Sequence, residues 1–169
     1  MIRALVNGSW ETFEDARLRP GTDNFDFETG LYETLRTKDN QPILLDSHLD
    51  RLLNTAESKN LKTSFHRNQI QSMIYEVIKN LSNKDQRVRI LLVPKKIIIY
   101  STPLELDHRI YDGVSVITLQ CKRDEPHIKT TNRHVCLNAY QAAQQQNCFD
   151  SILLDENKTV LEGSRSNVF

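Results

Sequence analysis

Lys129 lies in the run Ile128-Lys129-Thr130-Thr131-Asn132-Arg133, and Glu162 follows 33 residues later in Leu161-Glu162-Gly163-Ser164-Arg165-Ser166-Asn167-Val168. A lysine amine attacks an aldehyde only when it is unprotonated. Such a lysine therefore needs desolvation or a neighbouring positive charge to lower its pKa. A carboxylate can keep a pyridine-type nitrogen protonated, so that the ring absorbs electrons from a carbanion. A lysine that forms a Schiff base and an acid that holds a ring nitrogen are two protein parts that pyridoxal phosphate chemistry commonly uses. Taken singly, Lys129 reads equally as a solvated lysine beside a strand end. Glu162 alone reads as an acid flanking a turn.

The elements that must position these groups are legible from hydrophobic period and turn chemistry. Ile2 to Val6 reads as a strand, and Asn7-Gly8 is a two-residue hairpin signal. Tyr32 to Thr37 and Ile43 to Leu45 read as two strands around the polar turn Lys38 to Gln41. A helix is predicted to begin near Ser47, with Ser47 and Asp50 at capping-box spacing and Leu49, Leu52, Leu53 and Ala56 as its apolar stripe. A second helix is predicted over 68–81, burying Ile70, Met73, Ile74, Val77, Ile78 and Leu81. Val88 to Val93 and Ile97 to Thr102 flank Pro94-Lys95-Lys96 and read as a hairpin. The stretch 103–113 is polar and irregular. Beyond it the pattern predicts a strand at 114–119, a helix over 132–146, a strand at 149–154, a turn at 155–158 and a strand at 159–161. This is a mixed α+β and α/β chain. It divides into a small α+β domain over 1–106, a linker over 107–113 and the start of a larger domain over 114–169.

Composition narrows the function classes. Lysine plus arginine and aspartate plus glutamate number 22 each, so no global charge favours nucleic acid or a membrane surface. Three cysteines, Cys121, Cys136 and Cys148, have no Cys-x-x-Cys spacing. They read as reduced thiols rather than a disulfide framework or zinc site. The histidines show no metal-ligand spacing, and no phosphate-cradling glycine motif or Gly-x-Ser-x-Gly elbow occurs. No metal is expected. The N-terminal apolar run is too short for a signal peptide, and no segment reaches the length of a membrane span, so a cytoplasmic setting is expected. Lys122-Arg123 reads as a solvated charge pair.

The Lys-x-x-Asn run at Lys129 and the Glu-Gly-Ser-x-Ser-Asn run at Glu162 are preceded by Gly30-Leu31-Tyr32-Glu33 and His48-Leu49-Asp50-Arg51. In this order and spacing the chain resembles the class IV pyridoxal phosphate aminotransferases, the group of branched-chain and D-amino-acid aminotransferases and 4-amino-4-deoxychorismate lyase. The resemblance implies a two-domain fold with pyridoxal 5′-phosphate as cofactor, amino acid and 2-oxo acid substrates, and a homodimer.

It implies that Lys129 is the catalytic Schiff-base lysine and that Glu162 is the partner of the pyridine nitrogen. Arg51 becomes the phosphate ligand, as a guanidinium fork suits a phosphate dianion. Otherwise Arg51 is a cation in the first turns of a helix, where the dipole does not favour it. Tyr32 becomes an aromatic near cofactor and substrate; on its own terms it reads as a core strand aromatic. Ser166 and Asn167 support the cofactor, and Thr130 and Asn132 shape the lysine loop. Glu33 and His48 read either as structural or as support for the site.

The resemblance further implies that the large domain is incomplete, because the family continues beyond Phe169. Three functions follow. The first is transfer of an amino group between an amino acid and a 2-oxo acid. The second is an aminodeoxychorismate-lyase-type reaction on the same scaffold. The third is a non-catalytic truncated fragment or remnant. The short Pro94-Lys95-Lys96 loop leaves substrate choice open.

Overall fold

Asn7 and Gly8 both adopt positive φ, 52° and 87°. That doubly left-handed turn closes a hairpin between β1 (Ile2–Val6) and β2 (Ser9–Phe13). In this computed structural model, residues 1–122 and 128–168 are described. Arg123 of the Lys122-Arg123 pair lies outside the described residues, as do His127 and Phe169, which flank the lysine and glutamate runs. The described chain packs as two units. Met1–Glu105 and Ile128–Asn132 form the first, and the remaining described residues form the second.

The first unit is built on a six-stranded sheet in the order β2-β1-β6-β5-β3-β4. Besides the first hairpin, its strands are β3 (Leu31–Lys38), β4 (Gln41–Pro42), β5 (Gln86–Val93) and β6 (Lys96–Pro103). All pairings are antiparallel. One face carries α1 (Leu45–Ser58) and α2 (Arg67–Lys79). Leu49, Leu52, Ile70 and Ile74 from the helices meet Leu35, Ile90 and Ile99 from the strands in one core. Burying each such side chain contributes about 1.5–3 kcal/mol. A second core covers the other face around Val6, Phe13, Leu18, Leu91 and Tyr100, with Phe25, Phe27 and Tyr32 packed against it. Tyr100 donates its hydroxyl to the Leu18 carbonyl at 3.0 Å, which satisfies a phenol that is 3% exposed.

Three local predictions change. Ile43 to Leu45 is not a strand. Asp39 and Asn40, at φ 50° and 63°, make the tight turn, and pairing falls on Gln41–Pro42 instead. The chain then turns left-handed at Leu44, φ 54°, and α1 starts at Leu45. The Ser47–Asp50 capping box is also absent. The N-cap is Leu44, with no side-chain cap, and Asp50 instead receives Arg67 Nη1 at 2.5 Å. Third, the stretch 103–113 includes a 3-10 turn at His108–Tyr111. The helix-start signal that does operate lies at α2, where the Gln69 side-chain oxygen accepts the His66 N–H at 2.8 Å.

The second unit holds β7 (Val116–Gln120), α3 (His134–Gln145), β8 (Asp150–Leu154) and β9 (Val160–Gly163). β7 and β8 are parallel, and β9 returns antiparallel to β8. Cys136, Ala139 and Leu153 form its core, with Leu119 and Cys121 against it. No helix among the described residues is long and apolar enough to cross a membrane.

Candidate functional site

Period-two alternation along β3 turns Leu31, Glu33, Leu35 and Thr37 to the buried side, leaving Tyr32 and Thr34 half-buried and Arg36 exposed. Glu33 is therefore a carboxylate in an apolar file, 1% exposed. Such a group must be paired. His48 and Arg51, three residues apart and so on one face of α1, supply the partners. His48 Nδ1 lies 2.8 Å from Glu33 Oε2. Arg51 donates from Nε to Oε1 at 2.5 Å and from Nη2 to Oε2 at 2.7 Å. Burial pushes the Glu33 pKa up, but the hydrogen bonds and charges of Arg51 and His48 bring it below the usual carboxylate range. The hydrogen bonds to Glu33 raise Arg51 in turn. The Arg51 side chain remains 44% exposed. One edge of its fork is held from within, and Nη1 is the part not turned to Glu33.

The lysine segment is fixed by the start of the same strand. Leu31 and Thr130 form an antiparallel bridge. Tyr32 N–H donates to the Lys129 carbonyl at 2.9 Å, and Thr131 N–H donates to the Gly30 carbonyl at 2.8 Å. Gly30 N–H donates back to Thr131 Oγ1 at 2.8 Å in a buried setting. Ile128 packs on the helix-side core. Gly30 is required by contact rather than by φ: a Cβ there would stand 2.2 Å from the Leu92 carbonyl oxygen. With its backbone so fixed, Lys129 places Nζ 5.6 Å from the centre of the Tyr32 ring, within cation–π range. Thr130 donates its hydroxyl to the Asn132 carbonyl at 3.2 Å, a local turn within the loop.

In the second unit Glu162 is half-buried on β9, opposite Leu153 of β8. The turn that follows is organised by Asp150, 2% exposed at the start of β8. Asp150 Oδ1 accepts the Ser164 hydroxyl and, at 2.8 Å, the Ser151 N–H. Its Oδ2 accepts the Ser166 hydroxyl at 2.7 Å and the Arg165 N–H at 3.3 Å. Burial raises the Asp150 pKa, yet these hydrogen bonds outweigh it and leave the group below its ordinary value. Gly163 N–H donates to the Ser166 carbonyl at 2.9 Å, and a Cβ on Gly163 would meet Ser166 Oγ at 2.2 Å. Arg165 stacks 3.7 Å over the Tyr140 ring, and Arg133 Nη2 donates to the Ser164 carbonyl at 3.2 Å.

Within the first unit, then, the predicted residues Tyr32 and Lys129 come together, and Arg51 is tied to Glu33. Within the second, Ser166 shares one short turn with Glu162, and Asn167 is exposed just beyond it. Sequence reasoning missed Asp150 and Thr131. Neither carries a local signal: Asp150 is one acid at a strand start, and Thr131 one of a pair of threonines in a loop.

The amino-transferase class IV family model matches residues 30–169. Among curated proteins, the aminodeoxychorismate lyase of Bacillus subtilis is 25% identical, over 97% of this chain and 62% of its own length. The D-alanine aminotransferase of Bacillus licheniformis is 24% identical, over 99% of this chain and 65% of its own. The PLP-bound form of a hypothetical aminotransferase from Mycobacterium tuberculosis superposes with a TM-score of 0.72 at 18% identity, covering 96% of this chain and 65% of that one. The chain thus spans less than two thirds of the length of these relatives.

Proposed function

From the premise that the chain belongs to the class IV aminotransferase family, we propose that it is the pyridoxal phosphate-dependent part of an enzyme that moves an amino group between an amino acid and a 2-oxo acid. Taken by chemical type, residue by residue, the donors suit that cofactor. Lys129 is the amine that would hold it, and Glu162 the carboxylate for its ring nitrogen. Arg51 is the cation for its phosphate, and Ser166 and Asn167 are polar groups for its support. When bound, the cofactor supplies an electron sink for a carbanion at the substrate α-carbon. Lys129 Nζ, once released, accepts the proton that leaves that carbon and later returns one, which requires a neutral amine. Tyr32 restricts where Nζ can go by walling one side of it. The same reading carries amino acid and 2-oxo acid substrates, a homodimer and a cytoplasmic setting.

The observation that carries the proposal is the main-chain clamp of Lys129 on β3, which sets Nζ beside Tyr32. A solvated lysine on a loop would need no such clamp. The test is to incubate the chain with pyridoxal phosphate, reduce with borohydride and map the modified lysine by mass spectrometry, with Lys129→Ala as control. Label concentrated on Lys129 and lost in the variant is expected. Scattered or absent label would sink the reading and favour a non-catalytic fragment.

A lyase reaction on this scaffold is the second reading, favoured by the 25% identity to an aminodeoxychorismate lyase. Amino transfer to an added 2-oxo acid separates the two.

A further inference from the structure

Glu33 is a buried acid that a residue of similar shape and no charge could replace without loss of packing. Its neighbours along the strand, Leu31 and Leu35, are apolar and buried. Its carboxylate is nonetheless fully used, with both oxygens turned to α1. We infer that Glu33 is a positioning residue: it pins the Arg51 fork in advance, so that the free edge of the guanidinium meets a phosphate group. This rests on the cofactor reading above.

Three observations carry it. The first is asymmetry of exposure: Glu33 is 1% exposed and the Arg51 side chain 44%, so the pair is anchored at one end and open at the other. The second is donor arithmetic. A guanidinium has five N–H groups. Glu33 takes the Nε and Nη2 edge, which leaves both hydrogens of Nη1 for an anion. The third is His48, which contacts Glu33 at 2.8 Å and lies 3.3 Å from Arg51 Nη2. It gives the carboxylate a second polar partner on α1 beside Arg51.

A long arginine loses considerable rotamer freedom when it binds an anion from solution. Here that freedom is already lost in the folded chain, so less is lost on binding. Pairing with Glu33 also cancels most of the net charge. Recognition then depends on the direction of the donors rather than on attraction to a bare cation, and a lysine at position 51 would not substitute.

The experiment compares pyridoxal phosphate with pyridoxal, which lacks the phosphate, by absorbance titration of the full chain and of Glu33→Gln. Selective weakening of pyridoxal phosphate by about tenfold or more is expected, because an oriented, charge-assisted contact is lost. Pyridoxal affinity should hold within about twofold, since it makes no such contact. Arg51→Ala should show the same selective loss, and the double variant little beyond either. If Glu33→Gln does not fold, Glu33→Asp retracts the carboxylate by one methylene and is read in the same way. Parallel weakening of both ligands would mean a merely structural role and would overturn the inference. So would equal affinity of the parent chain for the two ligands, which would leave the cofactor reading standing. Binding of neither ligand would remove both.

Discussion

Tyr32 N–H donates to the Lys129 carbonyl at 2.9 Å, and Lys129 Nζ lies 5.6 Å from the centre of the same tyrosine ring. One strand residue thus fixes both the backbone and the side-chain setting of the proposed catalytic lysine. The strand edge does this because β4 pairs only Thr37 and Lys38, leaving the start of β3 open to another segment.

Thr131→Val tests how much this docking depends on a single side chain. The substitution preserves shape and removes Oγ1, the acceptor of the buried Gly30 N–H. A buried donor left without a partner costs about 1–3 kcal/mol. Urea unfolding followed by the fluorescence of Trp10, the single tryptophan, should show that loss, and Thr131→Ser should restore it. An unchanged midpoint in the valine variant would mean that the loop contact contributes nothing to the first unit.

Gly30→Ala should be worse. The new methyl group would stand 2.2 Å from the Leu92 carbonyl oxygen and 2.8 Å from Val93 Cα, and backbone cannot rotate away as a side chain can. Overpacking of this kind costs about 3 kcal/mol. Because β3 must shift against β5, reductive labelling at Lys129 should fall together with stability. A variant as stable as the parent would show that the strand start is softer than its contacts imply.

Asp150→Ala removes the acceptor of two hydroxyls and two backbone N–H groups, three of them from the turn that follows Glu162 and one from Ser151 on its own strand. Orphaning several buried donors at once is expected to cost about 2–4 kcal/mol. Trp10 lies in the first unit, so the readout should be amide hydrogen exchange at Ser164, whose N–H donates to the Ser151 carbonyl at 2.8 Å. Protection at that amide should drop sharply. Exchange at the parent rate would refute the view that Asp150 holds the turn.

What the sequence discloses and what it hides follow from the range of the forces involved. The long strands and both large helices are legible because apolar period is a local pattern: Ile70, Met73, Ile74, Val77 and Ile78 are all buried, while Leu81, expected on the same face, lies past the helix end at Lys79 and is half-buried. The α1 start is not legible, because a left-handed leucine sets it rather than a capping side chain. The docking of Ile128–Asn132 onto β3 is silent too. It rests on main-chain pairing and one threonine hydroxyl across a separation of 101 residues. The proposed site was legible as motifs. The tie between Glu33 and Arg51 was not, since neither motif alone says that its acid and base meet.

Acid should weaken the first unit through that tie. The Glu33 pKa is lower in the folded chain than in the unfolded one, so the unfolded chain binds the proton more readily. The stability this confers is fully present above the ordinary carboxylate pKa of about 4, and is lost as pH falls through the folded value. Glu33→Gln removes the titration but keeps the shape. The parent should exceed the variant in urea midpoint by a constant margin from neutral pH down to about pH 5, and the margin should shrink as pH falls below about 4. Trp10 is the probe again, since its indole donates to Glu76 within the same unit at 2.9 Å. A margin that widened on acidification would mean that burial outweighs the grip of Arg51 and His48. Glu33 would then sit above its ordinary pKa, as a neutral acid unable to hold the fork.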